Sequence, residues 1–240
     1  DSRYALTTSL LMTSLNRFGA EWVNSIKVGT SPSFYSEFYQ PLGYAADYFS
    51  RTFLSLERYD TSIFYEGQSF ATYEILENRV GTEGGMQLDS DADFAIGLFT
   101  GSGSADLLVG PPFLPNQDFK TGGYYVRFYY DRLDDEFFPT SGQLADLKYE
   151  LSRNDLGADA NYDRATMSFL TGHKFDRMIM NLRLKGSVLT KNAALALDRE
   201  QLGGFLNLSG YVKGELLGEE SALAVLQAYY QMSQTTRWYL

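Results

Sequence analysis

A single histidine, His173, bounds the acid–base chemistry open to this chain of 240 residues. Ser-His hydrolysis would have to run through it, and no Gly-x-Ser-x-Gly elbow is present to present a serine; Gly101-Ser102-Gly103-Ser104 reads only as a flexible loop start. Asp89-Ser90-Asp91-Ala92-Asp93 opens as a calcium loop does, with carboxylates at alternate positions. The loop then fails, because Phe94 stands where a glycine must turn the chain and Thr100 where a bidentate Glu would close the shell. Asp134, Asp135 and Glu136 are adjacent and read as an exposed polar turn, so they do not offer the two contrasting environments that an acid and base pair needs. With no cysteine there is no thiolate metal site, disulfide or Cys nucleophile. No phosphate-binding glycine loop or zinc spacing occurs. The expectation for this chain is no catalytic residue, no cofactor and no metal.

What the residues build is clearer than what they react with. In 178–188, Met178, Met180, Leu182, Leu184 and Val188 share one side of an extended strand, and Asn181, Arg183, Lys185 and Ser187 share the other. Tyr124, Val126, Phe128 and Tyr130 likewise oppose Tyr125, Arg127, Tyr129 and Asp131, and Ala145, Leu147, Tyr149 and Leu151 oppose Asp146, Lys148 and Glu150. Phe94, Ile96 and Leu98 oppose the small Ala95 and Gly97. The pattern predicts about twelve strands, over 6–15, 21–28, 34–40, 49–65, 70–88, 94–100, 124–133, 144–151, 164–174, 178–188, 222–232 and from Arg237 onward, with no convincing helix.

Composition agrees. Aromatics make up 15% of the chain, dominated by 18 Tyr and 17 Phe, with 22 Gly among them; this favours strands and tight corners. No run approaches the ~18 apolar residues of a membrane helix, and the mean hydropathy is slightly negative. A transmembrane barrel remains open, since its strands need only about ten residues of alternating polarity. The net charge of −10 and scattered Lys and Arg argue against a nucleic-acid partner.

A soluble sandwich also alternates, with its apolar faces turned inward. Long strands, charges of both signs on the polar face and unequal rims favour the inverted arrangement of a barrel in lipid. The short connections 16–19, 89–93, 175–177 and 233–236 fall on one rim, whereas 102–121, 153–163 and 189–220 fall on the other. The expected fold is all-β, a single antiparallel transmembrane β-barrel domain over 1–240. On this reading Phe128, Tyr130, Met180, Leu182 and Leu184 face lipid, and Arg127, Lys148, Glu150, Arg183 and Lys185 face a hydrated lumen.

Two stretches carry a family resemblance. The turn 134–142, ending Phe138-Pro139-Thr140-Ser141-Gly142, and the loop 202–218, with Leu208-Ser209-Gly210-Tyr211 at its tip, resemble the barrel of the outer-membrane assembly and translocation factors, the BamA-type bacterial surface antigen superfamily. Glu37-Phe38-Tyr39-Gln40-Pro41-Leu42, the Gly203-Gly204 pair and 222–232 with Tyr229-Tyr230 look more like the patatin-linked members, type V secreted phospholipases. The resemblance implies a bacterial outer-membrane location, a barrel of about sixteen strands of which this chain holds the second to the thirteenth, and hence truncation at both ends. It implies an anchor and translocator for an attached passenger, with a POTRA-type periplasmic unit on the parent chain; a patatin-like lipase passenger would carry its Ser-Asp dyad outside these residues. It makes Pro139, Thr140, Ser141 and Gly142 a periplasmic turn motif. In the family the loop tip carries an arginine inside the lumen; Ser209 stands in its place here and cannot lock the loop as a cation does. An assembly-factor barrel, a diffusion porin and a barrel lipase using His173 are the alternatives, and homodimerisation stays open.

Overall fold

The computed structural model describes residues 4–44, 46–136, 138–190, 200–204, 207–212, 214–232 and 237–239. Its strands are β1 (Ala5–Met12), β2 (Glu21–Gly29), β3 (Ser33–Leu42), β4 (Tyr48–Tyr65), β5 (Gln68–Asp89), β6 (Ala92–Val109), β7 (Gln117–Asp131), β8 (Ser141–Ser152), β9 (Tyr162–Phe175), β10 (Met178–Thr190), β11 (Glu200–Leu202), β12 (Leu216–Gly218), β13 (Glu220–Gln231) and β14 (Arg237–Tyr239). Twelve of them form one antiparallel sheet in chain order, β1 to β10 followed by β13 and β14, while β11 and β12 pair with each other inside the long connection. Among the described residues the only helical element is a 3-10 turn, Asn154–Leu156, and no helix is long and apolar enough to cross a membrane.

The meander order follows from local sequence. Where two alternating runs are separated by two residues, a hairpin is the only geometry that pairs them. Glu66-Gly67 between β4 and β5 takes positive φ at both positions (50° and 74°), the backbone that lets a two-residue turn follow the right-handed twist of its strands. The short turn between β9 and β10 begins likewise at Asp176, with φ of 55°.

One expectation is corrected. The span 102–121 is not a long loop: β6 runs to Val109, β7 starts at Gln117, and only 110–116 connect them. β4, β5, β6 and β7 are 18, 22, 18 and 15 residues long, beyond the roughly 9–11 that a tilted strand needs to cross a bilayer. Residues 101–105 of β6, rich in Ser and Gly, stay extended because they are paired on both sides, Ser104 opposing Leu76 on β5 and Asp118 on β7. Residues 153–161 and the connection between β10 and β13 are long, on the same rim.

The inner face is identified by what lies on it. Gln201, on β11, donates from Nε2 to Oγ1 of Thr61 on β4 at 2.9 Å. Glu200, Leu202 and Asn207 line a cavity together with Asp146 of β8, Thr166 of β9 and Lys185 of β10. One connection thus touches strands far apart in the sheet, so the sheet curves around it. The outer face carries the exposed large apolar residues, among them Leu54, Ile96, Leu98, Leu147, Met167 and Leu226.

Candidate functional site on the inner face

On the inner face the strand register builds a row of interlocking side chains. Tyr39, Arg51, Glu83, Gly97, Tyr125 and Glu150 stand opposite one another on β3 through β8. Arg51 pairs with Glu83, with Glu37 at 3.3 Å and with Asp93 at 3.9 Å, and its guanidinium lies over the rings of Phe49 and Tyr39. Tyr125 donates to Glu83 at 2.6 Å across β6, and Tyr35 donates to Glu37. Arg79 reaches Glu150 at 2.6 Å while stacking 3.7 Å above Phe99; Lys148 approaches the same carboxylate at 2.7 Å. Arg127 grips Asp146 with two hydrogen bonds of 3.0 Å, the fork geometry for which arginine is suited.

Glycine makes this row possible. Gly81 and Gly85 lie beneath the rings of Phe53 and Phe49, and Gly97 beneath Tyr125. A Cβ at any of the three would collide with the ring above it, so the aromatics lie down along the wall and the charged groups reach each other over them.

Two connections fold in over this face. The first is the β10–β13 connection. Its base turns sharply at Gly203, whose φ of +125° and tight contact with the Val212 carbonyl exclude a side chain; Gly203 N–H donates to Asn207 O at 2.8 Å and Gly204 N–H to Tyr211 O at 2.9 Å. Leu208, Ser209, Gly210 and Tyr211 at its tip are exposed. The described contact across the sheet comes from Gln201 at the base.

The second is the turn between β7 and β8. Asp134 accepts from the N–H groups of Thr140 at 2.8 Å and Ser141 at 3.0 Å, and from the Thr140 hydroxyl. Burial alone would raise the Asp134 pKa, but these donors outweigh it and hold the carboxyl below its usual range. Gly142 follows with φ of +95°, pressed against Arg132 O. The Pro139 carbonyl at the crown accepts from the buried Tyr229 hydroxyl of β13 at 3.0 Å. The Asn181 amide, oriented so that both its atoms are satisfied, donates to the same oxygen at 2.9 Å.

His173 lies on the outer face of β9, its Nε2 3.4 Å from Thr171 Oγ1 and its ring beside Phe175. Asp89 and Asp91 pair with Arg132, while Asp93 turns inward toward Arg51. Among the described residues no group of His, Cys, Asp or Glu is placed to hold a metal ion.

The profile of the Omp85 superfamily domain matches residues 16–231. The chain belongs to the Omp85 superfamily. Its structure resembles BamA from Haemophilus ducreyi lacking POTRA domains 1–3, with a TM-score of 0.74 and 12% identity over 97% of this chain and 51% of that one. It resembles CdiB from Acinetobacter baumannii with a TM-score of 0.58 and 12% identity over 98% of this chain and 45% of that one. The chain therefore spans about half the length of these structures. No curated protein matches it in sequence.

As an Omp85 barrel the chain belongs in the outer membrane. The outer face has the banding such a wall needs. Along β4 the outward residues pass from Leu54 and Leu56 to Arg58 and Asp60, and along β6 from Phe94, Ile96 and Leu98 to Ser102, Ser104 and Asp106. Beyond the apolar band the curved sheet fills its own interior, where Tyr73, Ile75, Ala105 and Phe119 pack under Leu114.

The sequence-selected Arg127, Lys148 and Glu150 meet in the inner network. Arg183 and Lys185 share the face of buried Ile179 and Asn181, while Phe128, Tyr130, Met180, Leu182 and Leu184 lie on the opposite one. Sequence reading missed Arg51, Arg79, Glu83 and Gln201, and it took Asn181 only as a polar residue of the strand and Tyr229 only as part of the family resemblance. Only the small residues facing Phe94 to Leu98 hinted at the row.

Proposed function

We propose that this chain is the membrane-spanning translocator part of a longer polypeptide that holds, and helps to export, an attached passenger, with a patatin-like lipase as that passenger. In this reading Phe128, Tyr130, Met180, Leu182 and Leu184 meet lipid, and Arg127, Lys148, Glu150, Arg183 and Lys185 line the hydrated interior. Outer-membrane lipid and a POTRA-type periplasmic unit on the parent chain are the partners. The observation that carries the translocator reading is the β10–β13 connection lying across the inner face, tied to β4 through Gln201 and Thr61. A steady diffusion pore needs an open lumen, whereas a translocator keeps its lumen obstructed between transits. The patatin-linked assignment is supported by residues 37–42, Gly203-Gly204 and Tyr229-Tyr230.

The test uses the full-length polypeptide in a Gram-negative host. Protease added to intact cells should release a passenger with phospholipase activity, and the purified barrel should have none. Steady conductance from the purified protein would point instead to a porin. Loss of other barrels from the outer membrane on depletion, with no surface passenger, would point to an assembly factor.

A further inference from the structure

We propose that the β7–β8 turn is a fixed sill inside one mouth of the barrel, clamped by Tyr229 and Asn181, and that it limits what crosses the lumen on that side. This rests on the reading of the sheet as a barrel wall. The turn does not stand up from the rim as a hairpin end does. Its crown bends over the inner face and ends above β9, where Gly172 offers no side chain; a Cβ there would sit 2.9 Å from the Pro139 oxygen. The same oxygen takes one hydrogen bond from β13 and another from β10. Phe138 meets the Tyr229 ring edge-on, with centroids 6.5 Å apart.

Both clamping side chains are buried. Tyr229 is 1% exposed and Asn181 5%, and a buried hydroxyl or amide without a partner is unfavourable. The Pro139 carbonyl has the complementary problem, since a carbonyl folded against the wall and left unpaired would be penalised in the same way. The Pro139 carbonyl receives both donors only when the turn lies inward. Asp134 fixes the turn's internal shape from the other end, so the crown is held at both sides. A segment so held narrows the short-connection mouth permanently. It is a threshold rather than a lid, and it acts at the end opposite the β10–β13 connection.

The experiment uses the full-length protein carrying this barrel, purified and inserted in planar bilayers, with heat-modifiable migration as the check on folding. Two routes displace the sill: Tyr229→Phe combined with Asn181→Ala removes the clamp's donors, and Gly172→Ala keeps both donors but crowds the Pro139 oxygen at 2.9 Å and the Asn181 amide at 3.1 Å. Each should raise conductance severalfold. Each should also speed thiol labelling of a single cysteine introduced as Phe138→Cys into this cysteine-free chain, whereas Tyr230→Phe on the outer face should change neither. Folded, inserted variants with unchanged conductance and labelling would overturn the sill and leave the barrel reading standing. Failure of the wild-type protein to insert would remove the barrel reading itself. Tyr229→Phe alone, a loss of one hydroxyl, keeps the labelling test decisive if the other variants do not fold.

Discussion

Tyr125 donates its phenolic hydrogen to Glu83 at 2.6 Å although the two residues stand on β7 and β5, with β6 between them. The bond passes over Gly97, whose missing side chain leaves the ring room to lie flat. Glu83 is 5% exposed and also accepts from Arg51, so its charge is answered from both sides. Gly97→Ala should therefore destabilise the barrel by about 1–3 kcal/mol through overpacking, and Tyr125→Phe by ~1 kcal/mol through the lost hydrogen bond. In combination the two should fall short of additive, because both remove the same contact. Urea-dependent loss of heat-modifiable migration measures all three; full additivity would show that Gly97 has a separate role.

The facing of β10 gives a second prediction. Leu182 and Arg183 are neighbours on opposite faces of one strand. Leu182→Arg places a cation against hydrocarbon, at about 2–4 kcal/mol near the bilayer midplane, and should reduce the amount of folded barrel in the outer membrane. Arg183→Gln changes a residue in water and should be tolerated. Equal tolerance of the two substitutions, measured as heat-modifiable protein in membrane fractions, would reject this facing.

The β7–β8 turn should respond to acid. The Asp134 carboxyl is held below its ordinary value of 3.8 by the Thr140 and Ser141 donors. A depressed carboxylate pKa contributes stability that is present above the unfolded-state value and is lost as pH falls through the folded-state value. The turn should thus be intact at neutral pH and loosen only at pH below 3.8. Amide exchange at Thr140 and Ser141, corrected for the intrinsic pH dependence, should lose protection in that window. Asp134→Asn should abolish the pH response; an unchanged response would place its origin elsewhere.

How much of this was legible beforehand depends on whether the signal was local. The alternation of Met178 to Val188 set the faces of β10 because period two is a property of the strand alone. Residues 102–109 read as a loop because the outward Ser102, Ser104 and Asp106 are polar while the inward Gly103 and Ala105 are small, so no alternation stands out; their extended form comes from pairing with β5 and β7, which no local pattern records. The inner network was half legible. Arg127, Lys148 and Glu150 stood out as polar positions on alternating strands, but Arg51 and Glu83 lie in longer, less regular runs, and their meeting depends on register. Asn181 was visible as a polar residue on β10, yet its partner Pro139 belongs to a turn that reads as an ordinary surface connection. The turn motif at 139–142 was recognised as sequence, and its inward fold was not.

The β10–β13 connection supplies the last prediction. The serine at position 209 lacks the charge that would lock the tip, the tip residues are exposed, and the hydrogen bond that spans the sheet joins Gln201 to buried Thr61. The bond at the base of the connection should help to set its position. Gln201→Ala and Thr61→Val each remove that bond, worth ~1 kcal/mol and so about a fivefold shift in a local opening equilibrium. Hydrogen exchange in residues 207–212 should accelerate by that factor in either variant. Because Thr61→Val keeps the side-chain volume, an effect of packing would show in Gln201→Ala alone. Unchanged exchange in both variants would mean that the Gln201–Thr61 bond does not hold the connection in place.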